Sequence, residues 1–293
     1  MRITERARSK FIVKTARSPE EALHAAVSQT VQGSVNAEFK PDPLFTAEFS
    51  RLLSTANSVV KKHGPMIEDA IAAELERAKL TVHRNTSIPI TSAALAMVNS
   101  RDYAQLSKRQ YDFNEKDIAD TVDVDILAID EANGWACAVS VKRGNGFTEP
   151  KKRKANEREL RALELTLASR LRQQGYPTID TATVGVIDYF GQTGFAEDLA
   201  ISGVGIDQFF DLPIVVSIDR MTASLKAAFD AELVRLLEPI LRSLNLGASA
   251  AAGANADDAS RPRRRRSRLC TVPAGPALNF GQFSNFATEH PQQ

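Results

Sequence analysis

The sequence predicts an α/β protein: a central mixed β-sheet flanked by helices, with further helices at the N-terminus. Three observations predict it. The stretch Asp123–Gly144 reads as two largely apolar strands joined by a turn at Asn133-Gly134, a pair suited to a hairpin turn. The segment 151–174 then gives the longest helical pattern, with Leu160, Leu163, Leu167 and Leu171 on one face. Finally, Thr181–Tyr189 returns as an apolar strand.

Taken in order, the elements begin at Ser18-Pro19-Glu20-Glu21. A serine cap, a proline in the first turn and acids at the positive end of the dipole start a helix that runs to about Gln32. Asp42-Pro43 opens a second helix, to about Lys62, with Phe45, Phe49, Leu52, Leu53 and Val59 as its apolar stripe. Gly64-Pro65 reads as a break, and a third helix spans Met66 to Lys79. A short strand, Thr81–Arg84, precedes a polar segment of little pattern, Thr86–Lys116. The paired strands follow at Val122–Asp130 and Trp135–Lys142, then a loop at Gly144–Pro150 and the long helix. Gly175-Tyr176-Pro177 ends that helix. After the strand at Thr181–Tyr189, Ile214–Ile218 is a further candidate strand, and Met221–Leu244 reads as a last amphipathic helix. From Gly247 the composition turns to Ala, Gly, Ser and Asp, then to R-P-R-R-R-R-S-R at 261–268. This divides the chain into an N-terminal helical region (1–62), a core (63–245) and a disordered basic tail (246–293).

Composition narrows the function. The formal net charge is +1, so a nucleic-acid surface must come from local clustering of cations. The two cysteines, Cys137 and Cys270, form no disulfide framework and no zinc spacing; Cys137 reads as a small buried thiol. The opening residues carry no apolar run of signal-peptide length, and no window reaches the ~18 apolar residues of a membrane span. A cytoplasmic location away from membranes is expected. The four histidines are scattered, and no HExxH, phosphate-binding loop or G-x-S-x-G elbow is present. The G-V-G at 203–205 lacks the context of a dinucleotide fingerprint.

The chemistry concentrates at the paired strands. Asp125 opens an apolar run and Lys142 closes the neighbouring strand, so the two can stand side by side at one end of the sheet. A carboxylate there anchors a hard cation such as Mg²⁺ or Mn²⁺. An ammonium beside a phosphodiester offsets developing negative charge and helps position a water. Asp123, two residues back and expected on the same face, is the competing carboxylate. The bland alternatives are solubilising strand-edge acids and a lysine leaving the core for solvent. Lys151, Lys152, Arg153 and Lys154 precede the long helix and cannot all face a core. They suit DNA phosphates, against a plain solvated helix start.

With these residues in view, the segment from about Pro65 to Tyr189 resembles the PD-(D/E)xK nuclease superfamily. The family pattern is a helix glutamate, a strand aspartate, then (Asp/Glu)-x-Lys on the next strand and a long helix. The resemblance implies a restriction endonuclease-like core, with Glu68 as the helix glutamate, Asp125 as the strand aspartate and Lys142 as the lysine. Glu74 is the rival to Glu68. Ser140 departs from the pattern, standing where the family carries its second acid. One branch has Ser-x-Lys and an acid displaced onto the following helix; Glu157 then becomes the second metal ligand with Asp125, and Glu159 and Glu149 are weaker alternatives. The implied function is Mg²⁺-dependent hydrolysis of double-stranded DNA by a type II restriction-type endonuclease, acting as a homodimer or homotetramer. The rival readings are a non-catalytic DNA-binding relative, a repair or recombination nuclease that reads DNA structure, and an α/β protein of other function.

Overall fold

Two N-terminal helices, α1 (Pro19–Val35) and α2 (Ala47–Arg77), lead into strand β1 (Thr81–Thr91). Short helices α3 (Ser92–Val98) and α4 (Tyr103–Leu106) connect to β2 (Ile118–Asp130) and β3 (Trp135–Lys142). Then come α5 (Pro150–Gln173), β4 (Thr181–Asp188), β5 (Ala200–Ile201), α6 (Gly205–Phe210) and α7 (Ile214–Asp257). This computed structural model describes residues 19–100, 103–106, 109–203 and 205–257. The strands form one sheet in the order β1-β2-β3-β4-β5. The first two pairings are antiparallel and the last two parallel, so the sheet is mixed, as the sequence predicts.

Helices cover both faces of the sheet. On one, Leu160, Leu163, Leu167 and Leu171 of α5 pack with Leu127, Ile129, Ala136 and Ala138. On the other, Ile67, Ile71 and Leu75 of α2 pack with Ile126, Ala128, Cys137 and Val139, and Ile214 and Ile218 of α7 join them. Strand β3 is therefore buried on both sides, and its near-continuous apolar sequence follows from that. Cys137 is fully buried, and burial pushes its thiol up to about 12. It is the inert core thiol the sequence indicates.

Four expectations are corrected. Gly64-Pro65 does not break a helix: Pro65 sits inside the single helix α2. A mid-helix proline costs about 3 kcal/mol. Burying Val59, Met66, Ile67, Ile71 and Leu75 at helical spacing across that point outweighs it, at about 1.5–3 kcal/mol per side chain. The predicted stripe of that helix is also displaced. Val59 of that stripe is buried as expected, but Phe45, Phe49 and Leu53 are exposed, while Ser50, Thr55 and His63 are buried. Small polar groups meet there instead: Ser58 and Lys62 both donate to Ser34 Oγ of α1, at 3.1 and 3.0 Å.

The third correction concerns the polar stretch after Arg84. Its first part continues β1 to Thr91, and α3 and α4 follow within it. The fourth concerns Ile214–Ile218, which is the first turn of α7 rather than a strand. Ile214, Ile218, Met221 and Leu225 are buried at spacings of a helix, and Val216 between them is exposed. The chain divides into two units at Ser243 and Leu244. Within the second unit the described part is the end of α7, which continues past Gly247 to Asp257. The arginine run at 261–268 and Cys270 lie outside the described residues. Among the described residues no helix is long and apolar enough to cross a membrane.

Candidate active site

The site forms where β2 and β3 part. Their ladder ends at Ile126 opposite Val139. Beyond it, the Val141 N–H donates to Asp125 Oδ2 at 2.5 Å, so a side chain replaces the lost backbone acceptor. The same oxygen stands 3.6 Å from Lys142 Nζ. The sequence pairing of Asp125 with Lys142 is thus present in space.

Why the strands part is legible in the alternation of β2. Val122 and Val124 pack in one core with Leu127 and Ile129, whereas Ile126 and Ala128 pack in the other. A strand with strict period 2 cannot do this, so one residue of slip falls at Asp125. Strand β1 slips with it. Val82 faces the α2 side, Ile88 and Ile90 the α5 side, and Asn85 between them has φ of 48°. A left-handed residue of this kind, for which asparagine is well suited, re-aims a strand.

Glu68 of α2 lies within electrostatic reach of this pair. Burial pushes its carboxyl above the ordinary glutamate range, and the Asp125 charge adds to the rise. Arg84 and Lys142 oppose it, and Asp69 adds weakly. Arg84 itself is paired with Asp69. Glu68, Asp125 and Lys142 therefore share one electrostatic neighbourhood. Glu74, the rival to Glu68, is buried and bonded to Arg77 and to Ser217 of α7. Its role is to tie two helices together.

The loops leaving β3 and β4 are stitched to each other beside Lys142. Tyr189 N donates to Lys142 O at 3.1 Å, Phe190 N to Arg143 O at 3.1 Å, and Gln192 N to Gly144 O at 3.2 Å. Asp188, in register with Lys142, is buried and accepts from Gly191 N, Thr193 N and Thr193 Oγ1. Gly144 has φ of 78°, and a Cβ on it would stand 1.7 Å from Asp188 Oδ1. Next to this loop, Arg143 Nε donates to His63 Nδ1 at 3.0 Å, and His63 Nε2 meets Thr222 Oγ1 at 2.9 Å. Burial, then the Arg143 charge, lowers the His63 pKa. Sequence reasoning missed Asp188, Arg143 and His63 as partners. Only the Asp-Tyr-Phe ending of β4, opposite Lys-Arg-Gly, carried a hint of it.

The remaining candidates lie elsewhere. Glu157 Oε1 accepts from Ala196 N at 2.9 Å and stands 3.8 Å from Arg153 Nε. Neither partner is Asp125 or Lys142. Ser140 is buried within β3, opposite Val186. Glu149 occupies the N-cap position of α5 without a side-chain cap bond. Asp123 bonds to Ser87, its partner on β1. Glu159 is pushed up by burial, then by the Asp120 charge and, more weakly, by Asp123. Of the four consecutive cations, Lys151, Lys152 and Lys154 are exposed, but Arg153 is half-buried beside Gly194.

Among the described residues no group of three or more His, Cys, Asp or Glu side chains is placed to hold a metal ion. Mg²⁺ is commonly held by one or two carboxylates, with waters and substrate phosphates filling its shell. Asp125 and Glu68 offer carboxylate oxygens of that chemistry, and the Asp125 charge reaches Glu68 strongly enough to raise its pKa. The donor set fits Mg²⁺ or Mn²⁺. No family model, curated protein or solved structure matches this chain.

Proposed function

We propose that this chain is a metal-dependent nuclease of DNA, with a restriction endonuclease-like core of the PD-(D/E)xK kind. One observation carries the reading: Asp125 and Lys142 meet 3.6 Å apart where β2 and β3 separate, with Glu68 near enough for their charges to shift its pKa. The order of those residues along helix, strand and strand, followed by long α5, supports the same reading.

Asp125 and Glu68 would hold the divalent cation, which supplies a Lewis acid and a water of lowered pKa. Asp125 is rigidly aimed, because Val141 N fixes one of its oxygens. Lys142, 3.6 Å from that oxygen, offsets charge that builds on the phosphate oxygens. Glu157 is better read as a tie between α5 and the loop before β5. A homodimer or homotetramer belongs to the proposal for duplex cutting. The exposed face of Phe45, Phe49 and Leu53 favours it.

The test is cleavage of plasmid and genomic DNA with Mg²⁺. Lys142→Ala and Asp125→Asn should each lose at least about 100-fold of the rate. Glu157→Ala should keep it within about threefold, since its hydrogen bond is remote from the reacting phosphate. Discrete fragments would mark a restriction-type enzyme. Wild type that binds DNA yet never cuts it would replace this proposal with the non-catalytic reading, which buried Ser140 in place of an acid favours.

A further inference from the structure

We infer that the site takes an unpaired strand, whose bases stack on Phe147 and Phe190 and whose phosphates run along Lys151, Lys152 and Lys154. The inference rests on the nuclease proposal for the site's location and replaces its duplex substrate with unpaired DNA.

The two aromatic residues sit on the two stitched loops. Phe147 lies in the loop between β3 and α5 and is 86% exposed, an unusual state for so large an apolar ring. It is not adrift: a Cβ at Gly194 would stand 3.1 Å from its Cδ1, and Thr148 N, next in the chain, donates to Thr193 O at 3.0 Å. One edge of the ring is thus backed by protein while most of it meets water. Phe190, in the loop after β4, is 42% exposed. Its ring is backed by Tyr189 at 4.9 Å, by His63 at 6.4 Å and by the Arg143 guanidinium at 5.3 Å. Both rings are therefore supported on one side and open on the other, which is what a stacking platform needs.

Charge decides between occupants. The loop pair begins at Lys142 and Arg143 and ends at the first turn of α5, which carries Lys151 and Lys152 and no acid, with Glu149 opposing them at the N-cap. That helix start has no side-chain cap bond, so its free N–H groups favour an anion as the lysines do. A protein partner docking by apolar contact would gain nothing from this row of cations. A duplex would satisfy the cations but not the rings, because its bases are stacked inside. Unpaired nucleotides satisfy both, since base–aromatic stacking and a basic groove together are how single strands are held.

The test reads binding apart from cutting. Fluorescence anisotropy of labelled oligonucleotides in EDTA compares a single-stranded 20-mer (roughly the length of one to a few site sizes) with the same sequence as a duplex. The wild type should favour the single strand by about tenfold or more. Phe147→Ala should lose about fivefold to a hundredfold of single-strand affinity, while Phe147→Trp retains it. Phe147 is exposed, so this variant should fold; near-wild-type thermal unfolding confirms that. Joint replacement of Lys151, Lys152 and Lys154 by Ala should weaken both ligands. Equal affinity for the two forms, or a neutral Phe147→Ala, overturns the inference even if Mg²⁺-dependent cutting is present. Phe147-dependent single-strand binding without any cutting supports it and removes the nuclease proposal instead.

Discussion

Glu68 shows how much one carboxylate reveals. Burial and the Asp125 charge keep its proton on to higher pH in the folded chain than in the unfolded one. The folded state then binds more protons between the two pKa values, so stability falls as pH rises through that interval. Above the raised pKa, ionised Glu68 destabilises the metal-free fold in full; below the unfolded value it costs nothing. Glu68→Gln should therefore raise the melting temperature in EDTA at pH 8 by about 1–2 °C and change it little at pH 4. A cation held by Asp125 and Glu68 acts in the opposite sense. Mg²⁺ should stabilise the wild type more at pH 8 than at pH 5.5, because protons compete for the same oxygens. Equal Mg²⁺ stabilisation in Glu68→Gln and wild type would remove Glu68 from the metal site.

At the scale of elements, legibility followed locality. The hairpin of β2 and β3 was readable because its turn and apolar runs are contiguous: Asp130 pairs with Trp135, and Gly134 takes φ of 65°. Helix α5 was readable because Leu160, Leu163, Leu167 and Leu171 are spaced at one face and all lie buried. Helix α2 was not, since the favourable burial that carries it through Pro65 comes from strands distant in sequence. Pro65→Ala should thus restore a backbone donor to an intact helix and stabilise the chain by about 1–3 kcal/mol in urea unfolding. Destabilisation would mean that the proline fits a needed bend. The site divides in the same way. The Asp125–Lys142 pair was legible from strand pairing. Glu157, which the resemblance offers as a second metal ligand, hydrogen-bonds the loop before β5, a partner that its place at a helix start does not reveal. His63, Arg143 and Asp188 meet only through tertiary packing. Gly144→Ala tests that packing. Its φ of 78° and the 1.7 Å approach to Asp188 leave no room for a methyl group. A loss of about 2–4 kcal/mol is expected, together with lost cutting, because the loop that follows Lys142 must move.

On the scale of the whole molecule, charge is close to balanced, at +1 over 293 residues. Long-range attraction for a polyanion is correspondingly weak, so the proposed affinity would come from local clusters, at one end of the sheet or in the arginine run at 261–268. This separates the chain from proteins that bind nucleic acid by overall positive charge, and it has a measurable signature in salt. Each phosphate contact to a single strand contributes about −0.7 to the slope of log K against log salt. If Lys142, Arg143, Lys151, Lys152 and Lys154 are the contacts, the slope should not exceed about −3.5 in magnitude. Replacing the three exposed lysines of the α5 start by Ala should bring it down by about 2, whereas Lys142→Ala should change it by less than about 1 while abolishing cutting. A steeper wild-type slope that survives the triple replacement would move the binding surface away from α5. Binding would then rest on cations outside this end of the sheet, and the pairing of charge with the exposed Phe147 and Phe190 would lose its purpose.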